Sequence, residues 1–326
     1  MRDPHPILYS VALSINCYRL GSLLPYAHLI ALGDSLLTMS FNRPVHFEED
    51  GKIHYGDMID SSDDKGFDVL ELDGSPWLGL KSTGRKVKTA KVLRAPCPIR
   101  HLLTMKTLLL CPIEACPIII CVGLNYKQHA EEAKSKVPTF PVIFTKPSDA
   151  LAGPLDDIKV HPDAQIQLDY EGELVVIIGR DAKDVKEDQA LNYVLGYTAG
   201  NDVSARNFQL PDASGGQFCY AKSFDGFAPV GPTIWSTESV PDPQKLHLTT
   251  TVNGEVVQET GTSDMIWSVA QIIAHLSRGT TLRRGTVIMT GTPSGVGYFR
   301  GAFLKDGDLV KVGISGLKRI ANWIVF

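Results

Sequence analysis

A mostly β chain with a few helices is the fold class this sequence predicts, with a small β-rich N-terminal domain ahead of a larger one. Three observations carry that expectation. The 326 residues exceed one average domain. The 29 glycines and 20 prolines favour turns and short strands over long helices. Apolar runs of strand length recur between turn signals, and Asn253-Gly254 is the strongest hairpin signal among them. A hydrophobic share of 44% and a charged share of 21% exclude disorder, collagen and coiled coil. The net charge of -4 offers no basic stripe for nucleic acid.

The elements follow in order. Residues 1–38 form an extension with no assigned role, and the small domain spans 39–115. Phe41–Phe47 reads as a strand joined to Lys52–Tyr55 through Glu49-Asp50-Gly51. Asp60–Gly66 reads as a polar loop, Asp68–Leu72 as a short strand and Lys81–Lys91 as a solvated linker. Leu102–Ala115 looks like an irregular insertion. The larger domain covers 118–326. Ile118–Val122 is a buried strand, His129–Lys136 a helix, and Pro141–Thr145 a strand ending at Lys146. A long strand is expected over Leu168–Ile178, a helix over Asp184–Val194 and a strand over Tyr193–Ala199. Asn253-Gly254 joins Leu246–Thr251 to Glu255–Gln258. Ser263–His275 reads as a helix with an apolar stripe of Ile266, Val269, Ile272 and Ile273. Thr286–Thr290, Leu309–Ile314 and Lys318–Val325 complete the strands.

No apolar run reaches the roughly 18 residues of a membrane span. Leu102–Leu124 is broken by Lys106, Pro112, Glu114 and Pro117, and Ile7–Met39 by Arg19, Pro25, His28 and Asp34. No membrane partner is therefore expected. The six cysteines (17, 97, 111, 116, 121 and 219) contain no CxxC pair, which argues against zinc. They read as buried thiols of a reducing compartment. A cytoplasmic location is expected, with mitochondrial as the alternative.

The chemistry concentrates in Asp169-Tyr-Glu171-Gly-Glu173. On a strand these three acids share one face, where like charges repel. A hard divalent cation would offset that repulsion; a solvated edge would also tolerate it. Asp202 lies at the end of the next apolar strand, beside Asn201 and Ser204. It suits a third oxygen ligand or a turn residue. Oxygen donors favour Mg²⁺, with Mn²⁺ or Ca²⁺ as alternatives. His129 and Glu132 are i,i+3 neighbours on a helical turn, as an oriented general base requires; an ordinary surface histidine is the plainer reading. Lys146 ends the Phe144-Thr-Lys-Pro strand, and Lys222 sits in a loop of Phe, Pro and Gly over 221–232. A lysine there holds a carboxylate, polarises a carbonyl, or simply snorkels to solvent. Thr290-Gly-Thr-Pro-Ser-Gly-Val-Gly297 lacks the GK[ST] ending of a P-loop, but its amides and hydroxyls suit an anionic substrate.

Together VGLNYKQHAEE, FTKPSDALAGP, LDYEGELVVIIG, GYTAGNDVSARNFQ, AKSFDGFAPVGP, VNGEVVQ with TSDMIW, and TGTPSGVG resemble the fumarylacetoacetate hydrolase family, in the family's order and over about Ile118–Phe326. The head from Met39 is similar to the small N-terminal domain of the family's longer subgroup. The resemblance implies a mixed β-roll, commonly dimeric. It implies Glu171, Glu173 and Asp202 as metal ligands, His129 and Glu132 as the base dyad on a lid-like segment, and Lys222 at the carbonyl or enolate oxygen. Arg206, Gln209, Lys146 and Thr292 would contact the substrate. The implied activity is metal-dependent C–C bond hydrolysis of a 1,3-diketone or acylpyruvate-type 2-oxo acid. Oxaloacetate decarboxylation or keto–enol tautomerisation uses the same groups and stands as the alternative. A non-catalytic metal-bound paralogue is the reading from another class.

Overall fold

The computed structural model describes residues 43–49, 52–62, 66–75, 79–89, 107–109, 111–113 and 115–326. The extension 1–38, the Asp50-Gly51 turn, Cys17, Cys97 and Leu102–Lys106 lie outside the described residues. The mostly β character is as expected, and the helices are few and short.

A five-stranded antiparallel sheet opens the described chain, in the order Gly79–Thr89, Gly66–Ser75, Lys52–Ser62, Pro44–Glu49, Thr107–Leu109. The first hairpin is as read, with Glu49 opposite Lys52. The expected linker Lys81–Lys91 is instead largely an edge strand. Leu80 and Val87 point inward, while the residues between them are exposed, with Lys81, Arg85 and Lys86 charged. Arg85 pins it by reaching Glu71 at 2.9 Å and Glu49 at 2.7 Å. Charge on an edge blunts unwanted pairing, which is why the segment looks unstructured in sequence. The expected loop Asp60–Gly66 is partly strand, since pairing runs to Ser62 and resumes at Gly66.

The seven-stranded sheet that follows has the order Val142–Lys146, Ile119–Gly123, Val287–Met289, Gly172–Ile178, Val194–Asn201, Ala228–Ser236, Leu151–Ala152. Gly172–Ile178 is central and buried on both faces. Leu174, Val176 and Ile178 pack with Leu248, Val312, Ile314 and Ile320 of a second five-stranded sheet, and with Val269, Ile272 and Ile273 of a helix. Val175 and Ile177 face the opposite way, among Cys121, Phe144, Met289 and, from the N-terminal sheet, Leu72 and Leu80. Burial on both faces explains the continuous apolar run. The second sheet has the order Glu255–Gly261, His247–Val252, Leu309–Ile314, Arg319–Val325, Ile158–Lys159.

Three elements differ from expectation for local reasons. The strand over Leu168–Ile178 breaks between Asp169 and Gly172. The Asp184–Val194 helix is a 3₁₀ segment over Glu187–Tyr193; it does not begin at Asp184, which takes φ 51° and whose carboxylate accepts from the Gly279 amide. The Ser263–His275 helix starts only at Val269. Ser268 accepts from the Gln271 amide and the Gln271 side chain accepts from the Ser268 amide, a capping box that fixes the start. The four described cysteines are free, and burial pushes the Cys111 thiol up to about 12.

Ser268→Ala should lower stability by about 1 kcal/mol, the usual worth of such a cap. Urea unfolding of the two proteins side by side checks it, and equal midpoints would deny the cap its role.

Candidate active site

Pairing across the centre of the large sheet builds the site. Gly172 lies opposite Asn201, and Glu173 opposite Gly200. The Glu171 amide donates to Asn201 Oδ1 at 2.8 Å, and the Asp202 amide donates to Glu171 O at 2.8 Å. These bonds bring Glu171, Glu173 and Asp202 together, with one carboxylate oxygen from each within 4.8 Å of the others. All three are buried.

Cations surround them. Lys222 Nζ lies 2.7 Å from Glu171 Oε2 and 2.9 Å from Asp202 Oδ2. Arg206 reaches Glu171 Oε1 at 2.7 Å and Asp169 Oδ2 at 2.8 Å. Lys146 lies 2.5 Å from Asp202 Oδ1 and donates to the Val203 and Phe227 carbonyls. Burial alone would raise the Glu171 carboxyl, but the Lys222 and Arg206 charges overcome this and hold it at about 2. Among the described residues no such cation contacts Glu173; burial, with Asp202 and Glu171 adding, pushes its carboxyl well above the usual range. Its stabilising contact is the Gly291 amide, at 2.7 Å from Oε2. Burial opposes the charge on Lys222, yet Asp202 and Glu171 keep its amine above the ordinary lysine value.

The donor set fits a divalent cation. It offers three hard oxygens and no sulfur, and among the described residues no cation contacts Glu173 to balance its charge.

A cavity of about 470 Å³ opens beside these acids. Glu171, Lys222, Arg206, Gln209, Thr292 and His129 line its polar side. Phe144, Phe218, Leu210 and Phe299 line the apolar side. The helix carrying His129 is shorter than expected, Lys127–Glu132, but it realises the i,i+3 pair. His129 Nδ1 is 3.0 Å from Glu132 Oε2, and Glu132 Oε1 accepts from the Gly295 amide at 3.0 Å. That second bond ties the helix to the Thr290–Gly297 loop.

Two expectations change. Lys146 is not among the cavity-lining residues; it stands behind Asp202 with its side chain fully buried. Asp169 parts from Glu171 and Glu173 at the strand break. It accepts from the Tyr170, Gly297 and Tyr298 amides as well as from Arg206. Asp169 is visible in the alternation of DYEGE, but apart from Tyr170 its partners lie 37 to 129 residues away and leave no local signal. From the segment 134–139 only Ser135 reaches the cavity wall.

Removing Lys146 takes away one of the two cations that hold Asp202 and leaves the buried cluster one positive charge short. Lys146→Met should therefore cost about 3–5 kcal/mol of stability. Denaturant unfolding measures it; an unchanged midpoint would show that Lys146 does not hold Asp202.

Residues 118–325 match the fumarylacetoacetate (FAA) hydrolase C-terminal family. A fumarylacetoacetate hydrolase domain-containing protein 2 homolog from Dictyostelium discoideum is 45% identical over 230 residues, covering 65% of this chain and 75% of its own. Oxaloacetate tautomerase FAHD2A, mitochondrial, from Homo sapiens is 41% identical over 218 residues, covering 66% and 69%. Among solved structures, 2-hydroxyhepta-2,4-diene-1,7-dioate isomerase from Mycobacterium marinum superposes with a TM-score of 0.71 at 35% identity, covering 87% of this chain and 98% of its own. The chain belongs to the fumarylacetoacetate hydrolase family.

Proposed function

We propose that this chain is a divalent-metal-dependent enzyme that interconverts the keto and enol forms of oxaloacetate. One observation carries the reading: His129, held by the Glu132 carboxylate, lines a cavity beside three buried acids, in a chain 41% identical to the human oxaloacetate tautomerase. Glu171, Glu173 and Asp202 would hold the metal, with Mg²⁺ the first choice and Mn²⁺ or Ca²⁺ the alternatives. When bound, it would supply the Lewis-acid charge that makes a proton beside a ketone easier to remove.

The remaining work falls to the chain's own groups. Glu132 holds the His129 ring through Nδ1, leaving Nε2 to take the C3 proton of the keto acid; the C2 enolate oxygen then gains a proton to give the enol, and ketonisation runs the two transfers in reverse. Lys222 adds positive charge where the oxygen becomes anionic. Arg206 and Gln209, bonded to each other at 2.7 Å, present N–H groups to a carboxylate. Phe144, Phe218 and Phe299 limit water at the reacting carbon.

Hydrolysis of a C–C bond, the activity expected first from sequence, is the second reading. The same His129 would deprotonate water instead of carbon. A fumarylacetoacetate hydrolase from Exiguobacterium antarcticum, 33% identical with a TM-score of 0.72, favours it. Decarboxylation of oxaloacetate needs no attacking water and is a third outcome of the same assay. We also propose a homodimer, from the family resemblance, and a mitochondrial location, from the names of the FAHD2 relatives. Among the described residues no helix is long and apolar enough to cross a membrane.

The test follows the ultraviolet band of enol-oxaloacetate with and without Mg²⁺, beside assays for pyruvate release and for acylpyruvate cleavage. Metal-dependent decay of the enol band without pyruvate is expected. His129→Ala should slow it by about 10²-fold or more while retaining metal. Pyruvate release would move the assignment to a decarboxylase, and acylpyruvate cleavage alone to a hydrolase.

A further inference from the structure

The VNGEVVQ hairpin belongs to the second sheet, yet its end enters the site. Asn253 (φ 52°) and Gly254 (φ 90°) make the two-residue turn, with Val252 opposite Glu255. Both central residues have positive φ, as a type I′ turn requires. The pairing then slips: Thr251 lies opposite Val256 and Thr250 opposite Gln258, so Val257 is an extra, bulged residue. Bulges re-aim the side chains beside them. Here the neighbour is Gln258, which is buried.

Gln258 closes a ring of hydrogen bonds. The Gly172 amide donates to Gln258 Oε1 at 2.9 Å. Gln258 Nε2 donates to Thr292 Oγ1 at 2.8 Å. The Thr292 hydroxyl donates to Gly172 O at 3.1 Å. The second Nε2 hydrogen goes to Pro293 O at 3.0 Å. The amide admits no flip, since a flip would set NH₂ against the Gly172 N–H and oxygen against the Pro293 carbonyl. Gly172 stands between Glu171 and Glu173, and Thr292 lines the cavity.

Two glycines record how closely this hairpin presses. A Cβ on Gly172 would come within 2.0 Å of Thr250 Oγ1, and one on Gly295 within 2.0 Å of Val257 O. One glycine is on the acid strand and the other on the loop that holds Glu132. The ring also commits the Thr292 hydroxyl: its proton goes to Gly172 O, so it has none to donate to a substrate.

We propose that Gln258 is a positioning residue that fixes the spacing between the acid strand and the Thr292 wall, and that recognition of the substrate's 2-oxo-acid end depends on that spacing. The proposal rests on the reading of the cavity as a 2-oxo-acid site. Thr292 then serves substrate through its backbone and its place in the wall rather than as a hydroxyl donor.

The test uses the full-length chain with Mn²⁺ and oxalate as the non-reacting probe. Gln258→Met keeps the length and removes every hydrogen bond. Gln258→Glu keeps the shape and sets a carboxylate oxygen against Pro293 O. In whichever variant folds, oxalate affinity should fall by about tenfold relative to any change in Mn²⁺ affinity, the usual effect of orphaned buried partners. Thr292→Val should give a similar loss, Thr292→Ser should restore binding, and the Gln258→Met/Thr292→Val pair should be no worse than either single change. Equal weakening of Mn²⁺ and oxalate, or none, would overturn the proposal. If the wild type takes no oxalate, the 2-oxo-acid reading fails, and amide exchange at Gly172 decides the clamp separately. Faster exchange in Gln258→Met supports it, and wild-type protection overturns it.

Discussion

Everything at the centre of this structure depends on balancing buried charge. Asp169, Glu171, Glu173 and Asp202 are all buried, and so are Lys146, Lys222 and Arg206. A lone charge in such a place costs several kcal/mol. The seven groups therefore hold one another, and they come from segments far apart in the chain. The three cations account for Asp169, Glu171 and Asp202 by direct contact. Glu173 is left with a backbone amide, and its carboxyl is accordingly the one that burial drives upward. A divalent ion at this point would complete the balance and place positive charge next to the cavity.

The rest of the fold serves that centre. The strand Gly172–Ile178 is packed on both faces, so its first residues cannot drift from the Asn201–Asp202 end beside them. The Thr290–Gly297 loop is held from three sides: Glu173 through the Gly291 amide, Glu132 through the Gly295 amide, and Asp169 through the Gly297 amide. Acid, base and cavity wall thus share one loop. Moving any one of them disturbs the geometry of the other two.

Much of this was legible in sequence, and the remainder follows a physical pattern. The gathering of Glu171, Glu173 and Asp202 shows in strand alternation and in an acid at the next strand's end. The His129–Glu132 pair shows in helical spacing, and the hairpin shows in Asn253-Gly254. These signals are local. Lys146 looks like a strand-end lysine because nothing near it in sequence reveals Asp202 at 2.5 Å, and Gln258 looks like an ordinary strand residue because its partners are 34 to 86 residues away. The edge strand Gly79–Thr89 hides for another reason: its exposed charges are the feature that protects an edge, and they also resemble a linker.

The central claim is that the three acids form one metal site, with Glu173 as the member that no cation contacts among the described residues. Titration of the full-length chain with Mn²⁺, followed by calorimetry or electron paramagnetic resonance, tests it most directly when wild type and Glu173→Gln are compared. The account predicts one ion per chain in wild type and a loss of at least about a hundredfold in affinity in the variant, since a charged ligand becomes a neutral amide. Wild-type protein that takes no ion, or a variant that binds as tightly as wild type, would contradict it.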